Sequence, residues 1–114
     1  ITGSLIISGS VNGNVLSVTE ASSTASIDLS KASFFSSSID ADTHFSITNI
    51  QAGQTAMLRV TITSATPTAS FSPNVLQPSG SEYQPTAAVN SVDILTFASF
   101  DSSTVSLVAV NKLI

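Results

Sequence analysis

The sequence predicts an all-β protein, an antiparallel β-sandwich or jelly roll of about eight strands. Apolar residues step in twos along Thr43-His44-Phe45-Ser46-Ile47-Thr48 and Leu58-Arg59-Val60-Thr61-Ile62-Thr63, which puts them on one face of a pleated backbone. Most intervening positions are Ser, Thr or Ala, and turn-forming Gly, Asn, Asp and Pro interrupt the pattern at short intervals. No segment sustains the three- and four-residue spacing of a capped helix.

Residues 4–8 and 14–19 read as two strands around Val11-Asn12-Gly13, where Asn-Gly supplies the positive φ angles of a tight hairpin. A weak strand follows at Ile27-Asp28-Leu29. Phe34 and Phe35 are adjacent, so in a strand they face opposite ways, and one of them belongs at an edge, an interface or a bend. Asp40-Ala41-Asp42-Thr43 leads as a turn into the strand of Phe45 and Ile47. Residues 49–54, with Gly53, form the next turn before a long strand over 55–63, and this pair is expected as a hairpin. Pro67, Pro73, Pro78 and Pro85 mark loop with one short strand near 68–72, because proline has no ladder donor. Residues 92–100 and 104–110 close the chain as a central hairpin. Residues 1–24 are expected to form an N-terminal hairpin and a connection to a longer chain or neighbouring subunit, and 25–114 the β-sandwich domain. The first residue is Ile1, so a segment of a longer polypeptide is expected.

A chain of 114 residues suffices for one domain, and with no Cys it has no disulfide. Charged residues are only 9% and the formal net charge is -4, so solubility depends on hydroxyls; Ser and Thr supply about a third of the chain. A surface so poor in charge guards its strand edges badly unless subunits hide them against one another. Lys31, Arg59 and Lys112 are scattered and make no continuous positive stripe, so no nucleic acid partner is expected. The sequence holds neither a long apolar span nor a signal-peptide pattern, and no membrane insertion is expected.

Asp40 and Asp42, with Asp28 or Asp101, offer oxygen ligands but lack the spacing of a calcium loop and read as ordinary turns. His44 is the single histidine, on the face opposite Phe45 and Ile47, and holds no transition metal alone. No serine lies in a Gly-x-Ser-x-Gly turn, and Asp93 and Asp101 read as strand-end and turn residues rather than an acid-base pair. No catalytic residue, cofactor or metal is therefore assigned. The Pro-rich loop offers a contact surface instead: Tyr83 as an aromatic platform beside Asn74, Glu82 and Gln84. On that reading, replacing Tyr83 by Ala weakens binding without unfolding. A Tyr83 that pins the loop to the sheet is the alternative.

From residue 25 onward the order of features resembles a β-domain of tailed-bacteriophage virions, as found in tail-fibre tips and related appendages. The matching pieces are Ser26-Ile27-Asp28-Leu29-Ser30, Phe45-Ser46-Ile47-Thr48-Asn49, Ala52-Gly53-Gln54-Thr55 and Leu58-Arg59-Val60-Thr61-Ile62, then Thr68 to Leu76 and Asp93-Ile94-Leu95-Thr96-Phe97. Such domains often carry a Trp where Leu76 stands, and this chain has no Trp. The resemblance implies a non-enzymatic virion protein in a homotrimer, contacting other virion proteins and a host surface glycan or protein. A capsid decoration protein and a secreted carbohydrate-binding module are the alternatives. The alternating faces also predict one core of Phe45, Ile47, Leu58, Val60, Ile62, Ile94 and Val105.

Overall fold

A computed structural model describes residues 8–10, 13–64, 67–80 and 82–113. Nine strands form among the described residues: β1 (Val15–Ser17), β2 (Thr24–Asp28), β3 (Phe34–Ile39), β4 (Thr43–Thr48), β5 (Thr55–Ile62), β6 (Ala69–Phe71), β7 (Val75–Leu76), β8 (Val92–Ala98) and β9 (Val105–Val110). No helix occurs among the described residues. A six-stranded sheet has the order β1-β3-β5-β8-β9-β7, and a three-stranded sheet the order β2-β4-β6.

The all-β class stands, but the expected antiparallel pairing does not. Pairs β1-β3, β3-β5, β2-β4, β4-β6 and β7-β9 are parallel; only β5-β8 and β8-β9 are antiparallel. From β1 to β6 each strand lies in the sheet opposite its predecessor, so neighbours within a sheet are two steps apart in sequence. Parallel neighbours need long crossovers, and here the crossover is a strand of the other sheet. The expected hairpin of residues 43–48 with 55–63 is thus replaced by two strands in different sheets. Alternation reports which face of a strand is buried, not which strand it pairs with, so both arrangements satisfy the same pattern.

The connection between β4 and β5 shows how the crossing is made. Ile50 is buried in it, Asn49 and Gly53 adopt positive φ (57° and 80°), and Gly53 N–H donates to Ser99 O at 2.9 Å. The Asn49 amide donates to Asp28 Oδ1 at 2.8 Å and the Gln54 amide to Leu29 O at 2.6 Å, tying this crossing to the one between β2 and β3. The closing pair 92–100 with 104–110 is an antiparallel hairpin as expected, with Phe97 opposite Leu107. Residues 4–7 of the first expected strand and the Val11-Asn12 turn lie outside the described residues. Its intended partner, β1, pairs in parallel with β3, and β2 begins at Thr24, so β1 and the start of β2 belong to the same two sheets as the rest.

One hydrophobic core joins the inner faces of both sheets: Ala25, Ile27, Phe45 and Ile47 from the small sheet meet Phe35, Ile39, Leu58, Val60, Ile62, Leu95, Phe97, Val105 and Leu107 from the large one. Phe45 stacks on Phe71 with centroids 5.4 Å apart, and Phe71 meets Phe97 edge-on at 6.4 Å across the gap between sheets. Of the predicted core, six residues are buried and Ile94 is not. In β8 the inward positions are Asp93, Leu95 and Phe97, and Ile94 is only half-buried on the outer face. Both faces of β8 carry apolar residues, and the acid at Asp93 argued for turning its own side outward. Strand β3 hides its alternation in a serine run, with Phe35, Ser37 and Ile39 inward and Phe34 outward.

Truncating Leu58, which has no exposure, to Ala is expected to cost about 2–5 kcal/mol in denaturant unfolding. Ser37 supplies the opposite case: its hydroxyl is buried without a hydrogen-bond partner. Ser37→Ala removes that desolvated group, and a stabilisation of about 1 kcal/mol is expected in the same measurement.

Candidate functional site

Three groups of surface residues define what this fold can present: the loop between β7 and β8, the turn between β8 and β9, and the outer face of the six-stranded sheet. The first contains the predicted contact residues. Its anchor is Asp93, which the alternation of β8 points inward and which is fully buried. A buried carboxylate is tolerated only when hydrogen bonds replace its water shell. Asp93 accepts five: from the Tyr83 hydroxyl (2.7 Å), Thr86 N–H (3.0 Å), the Thr86 hydroxyl (2.6 Å), the Asn111 amide (3.3 Å) and Lys112 N–H (2.8 Å). Burial raises its pKa, but the donors from Thr86, Tyr83 and Lys112 outweigh it and hold the carboxyl below the usual value. Burial, with the adjacent Asp93 charge as hydrogen-bond acceptor, pushes the Tyr83 phenol well above its ordinary range. The pair is a carboxylate and a neutral phenol at physiological pH. With its lone pairs engaged and its pKa lowered, Asp93 is a structural acceptor, not a proton acceptor for a reaction.

This network corrects the reading of Tyr83. The ring is 5% exposed and lies edge-on to Phe71 at 6.3 Å, so it is core, not an open platform. Its N–H donates to the Gln77 side chain at 2.9 Å, which folds the loop over the ring. Tyr83→Ala would therefore unseat the loop, contrary to the expectation that it leaves the fold intact. Glu82 and Gln84 are exposed, and with Gln77, Pro78 and the β9 residues Leu107 to Ala109 they border a cleft of about 230 Å³. Asn74 is not brought to this cleft: its amide donates to Ile47 O at 3.0 Å, and its Oδ1 accepts from the Ser72 hydroxyl at 2.6 Å. It fastens β7 to the small sheet.

The turn after β8 raises Phe100 into solvent, 87% exposed. Asp101 sets that turn by accepting from Ser103 N–H at 2.9 Å and Thr104 N–H at 2.8 Å, which lowers its pKa. The Ser99 hydroxyl donates to Gln51 O and staples the turn to the crossing between β4 and β5. No motif around Phe100 marks it for exposure; it continues the apolar run of β8, and only the turn geometry puts it outside.

The outer face of the large sheet is apolar along one row, in which Val15, Phe34, Met57, Thr96 and Val108 lie side by side on β1, β3, β5, β8 and β9. The next row is Ser17, Ser36, Arg59, Ile94 and Val110. Val15, Phe34, Met57, Val108 and Val110 are all exposed. The Arg59 guanidinium donates to the Ser36 hydroxyl at 3.2 Å. Beyond Ser36 the same face opens into a polar groove of about 450 Å³ bordered by Ser17, Ser38, Glu20 and Asp40.

The remaining titratable residues serve turns and sheet faces. Asp28 accepts from Ser30 and Asn49, which lowers its pKa to about 2. Asp42 accepts from Thr68 N–H at 2.9 Å, and His44 pairs with the Ser70 hydroxyl at 2.8 Å on the outer face of the small sheet. Among the described residues no three acidic or histidine side chains converge to hold a metal ion. Compared with known protein families, curated proteins and solved structures, the chain finds no match.

Tyr83→Phe removes one of five donors and is expected to cost about 1–2 kcal/mol; Asp93→Ala strands all five and should cost more than about 3 kcal/mol, both by thermal or urea unfolding. The lowered carboxyls set the pH response. Each is more readily ionised when folded, so its stabilisation is complete above the ordinary value of 3.8 and is lost as pH falls through the folded value. The melting temperature is expected to hold from pH 7 to about 5 and to fall between about pH 4 and 2, less steeply in Asp93→Asn.

Proposed function

We propose that this chain is a non-enzymatic structural domain of a bacteriophage virion, a β-sandwich acting as a homotrimer in a tail fibre or appendage that attaches to the host. One observation carries the reading. The acids Asp28, Asp42, Asp93 and Asp101 accept hydrogen bonds within their own loops and crossings. The outer faces that remain carry mostly hydroxyls and apolar side chains, with Arg59 and His44 as the exceptions, a surface suited to cover by further subunits. The ordered features from Ser26 to Phe97 that resemble virion β-domains agree with that use.

Adhesion in such an assembly is multivalent: linked copies turn later contacts into intramolecular ones, so shallow sites suffice. The exposed groups available for contact are Glu82 and Gln84 at the cleft beside β9 and Phe100 on its rigid turn. A host surface glycan or protein is the target of this reading, in place of the stacking on Tyr83. The alternative, a capsid decoration protein, uses the same faces against shell subunits.

Sedimentation or light scattering of the chain at micromolar concentration is expected to give three times the monomer mass. Glu82→Ala/Gln84→Ala/Phe100→Ser should reduce binding of that assembly to host cells while leaving its melting temperature within about 3 °C. Unchanged host binding, or a place on the capsid lattice in a particle reconstruction, would overturn the adhesion reading and favour decoration.

A further inference from the structure

We infer that the outer face of the six-stranded sheet, centred on Phe34, Met57 and Val108, is the surface on which a second copy of this chain packs. The inference rests on the assembly reading above and gives it a location. The inner faces are already joined in one core, so this sheet has a second side, and it carries exposed apolar residues. On it Val15 is 69% exposed, Val108 65%, Val110 53%, Leu76 52%, Met57 43% and Phe34 42%. Together they leave on the order of 500 Å² of apolar side chain in water, at the upper end of what a soluble monomer presents as one patch. With the Ser and Thr fringe of Ser17, Ser36, Thr55, Thr96 and Ser106, the face approaches the roughly 800 Å² that one partner contributes to a standard interface.

Charge selects the occupant. Arg59 is the one charged side chain in these two rows, and its guanidinium donates to the Ser36 hydroxyl. Carboxylates lie at the border of the same face, where Glu20 and Asp40 flank the groove beyond Ser36. The part of this face that carries Arg59 on one copy is complementary to the acid-bordered part on the next, a heterologous contact of the kind that closes a three-fold ring. A single cation suits neither a phosphate backbone nor an anionic lipid surface. Edge geometry agrees: β1 and β7 end the sheet with three and two residues, leaving little edge for strand addition and making the face the larger contact.

The test is the solution mass of Met57→Lys and Val108→Lys, each read beside circular dichroism and melting. Both residues point away from the core, so the fold is expected to persist while the assembly constant falls at least 100-fold. Ser26→Lys, on the outer face of the small sheet, should leave the mass unchanged. Should either lysine variant lose its folded signal, Val15→Lys at the sheet edge carries the same test. A folded variant that keeps the full assembled mass overturns the face assignment while sparing the assembly reading. A wild-type chain that stays monomeric to about 100 µM overturns both. Loss of assembly in Ser26→Lys with retention in Met57→Lys would assign the contact to the small sheet instead.

Discussion

The carboxylate of Asp93 is the interaction on which the closed end of this fold depends. It sits on the inner face of β8 with no exposure and accepts hydrogen bonds from Tyr83, Thr86, Asn111 and Lys112. The loop before β8 and the tail after β9, which reach the sheet through backbone bonds such as Asn90 N–H to Ile62 O and Leu113 N–H to Val92 O, are thereby also fixed to one atom pair. A buried charge without these donors would be driven to neutralise, and the loop would lose its anchor. Lys112 adopts a positive φ of 60° where its N–H reaches the carboxylate, a conformation uncommon for a side-chain-bearing residue. That geometry follows the hydrogen bond rather than local preference.

The anchor connects to the rest of the core through aromatic contact. Tyr83 meets Phe71, Phe71 stacks on Phe45, and Phe71 also meets Phe97, so one ring cluster spans loop, small sheet and large sheet. Because β1 to β6 alternate between sheets, no two consecutive strands among them support each other by ladder hydrogen bonds. Their association depends on the shared core and on the ties between crossings, such as Asn49 to Asp28 and Gln54 to Leu29. Contacts of this kind are distant in sequence, which predicts slow folding relative to a hairpin-built sheet of similar size.

Polar chemistry in this molecule is spent on architecture, and that bears on function. Acids cap turns or fill the core, serines line the faces, and most exposed apolar groups lie on the outer sheet face and at Phe100, with Leu16, Val89 and Leu113 elsewhere. A broad face and shallow loop sites are the basis of the proposed role as a repeated part of a larger particle, where affinity comes from copy number. Arg59 stands beside Ser36 and Ile94 in the row next to the apolar one, with its guanidinium on the Ser36 hydroxyl.

By itself the sequence determined the all-β class, most of the strand positions and most of the core, because side-chain alternation is a local property of the pleat. Phe45, Ile47, Leu58, Val60, Ile62 and Val105 were legible for that reason. Strand β3 was obscured because serine is silent about its face, and Ile94 was misplaced because a hydrogen-bonded Asp93 looks, in sequence, like a solvated one. Tyr83 was legible as the loop's key residue but not as a buried one; its partner Asp93 lies ten residues away, and only folding brings the donors around it. Pairing and parallel direction were decided by the tertiary structure alone. Two strands with the same buried face can meet as a hairpin or sit across a core, and the choice depends on where the intervening chain, here Ile50 and Gly53, finds burial and hydrogen bonds.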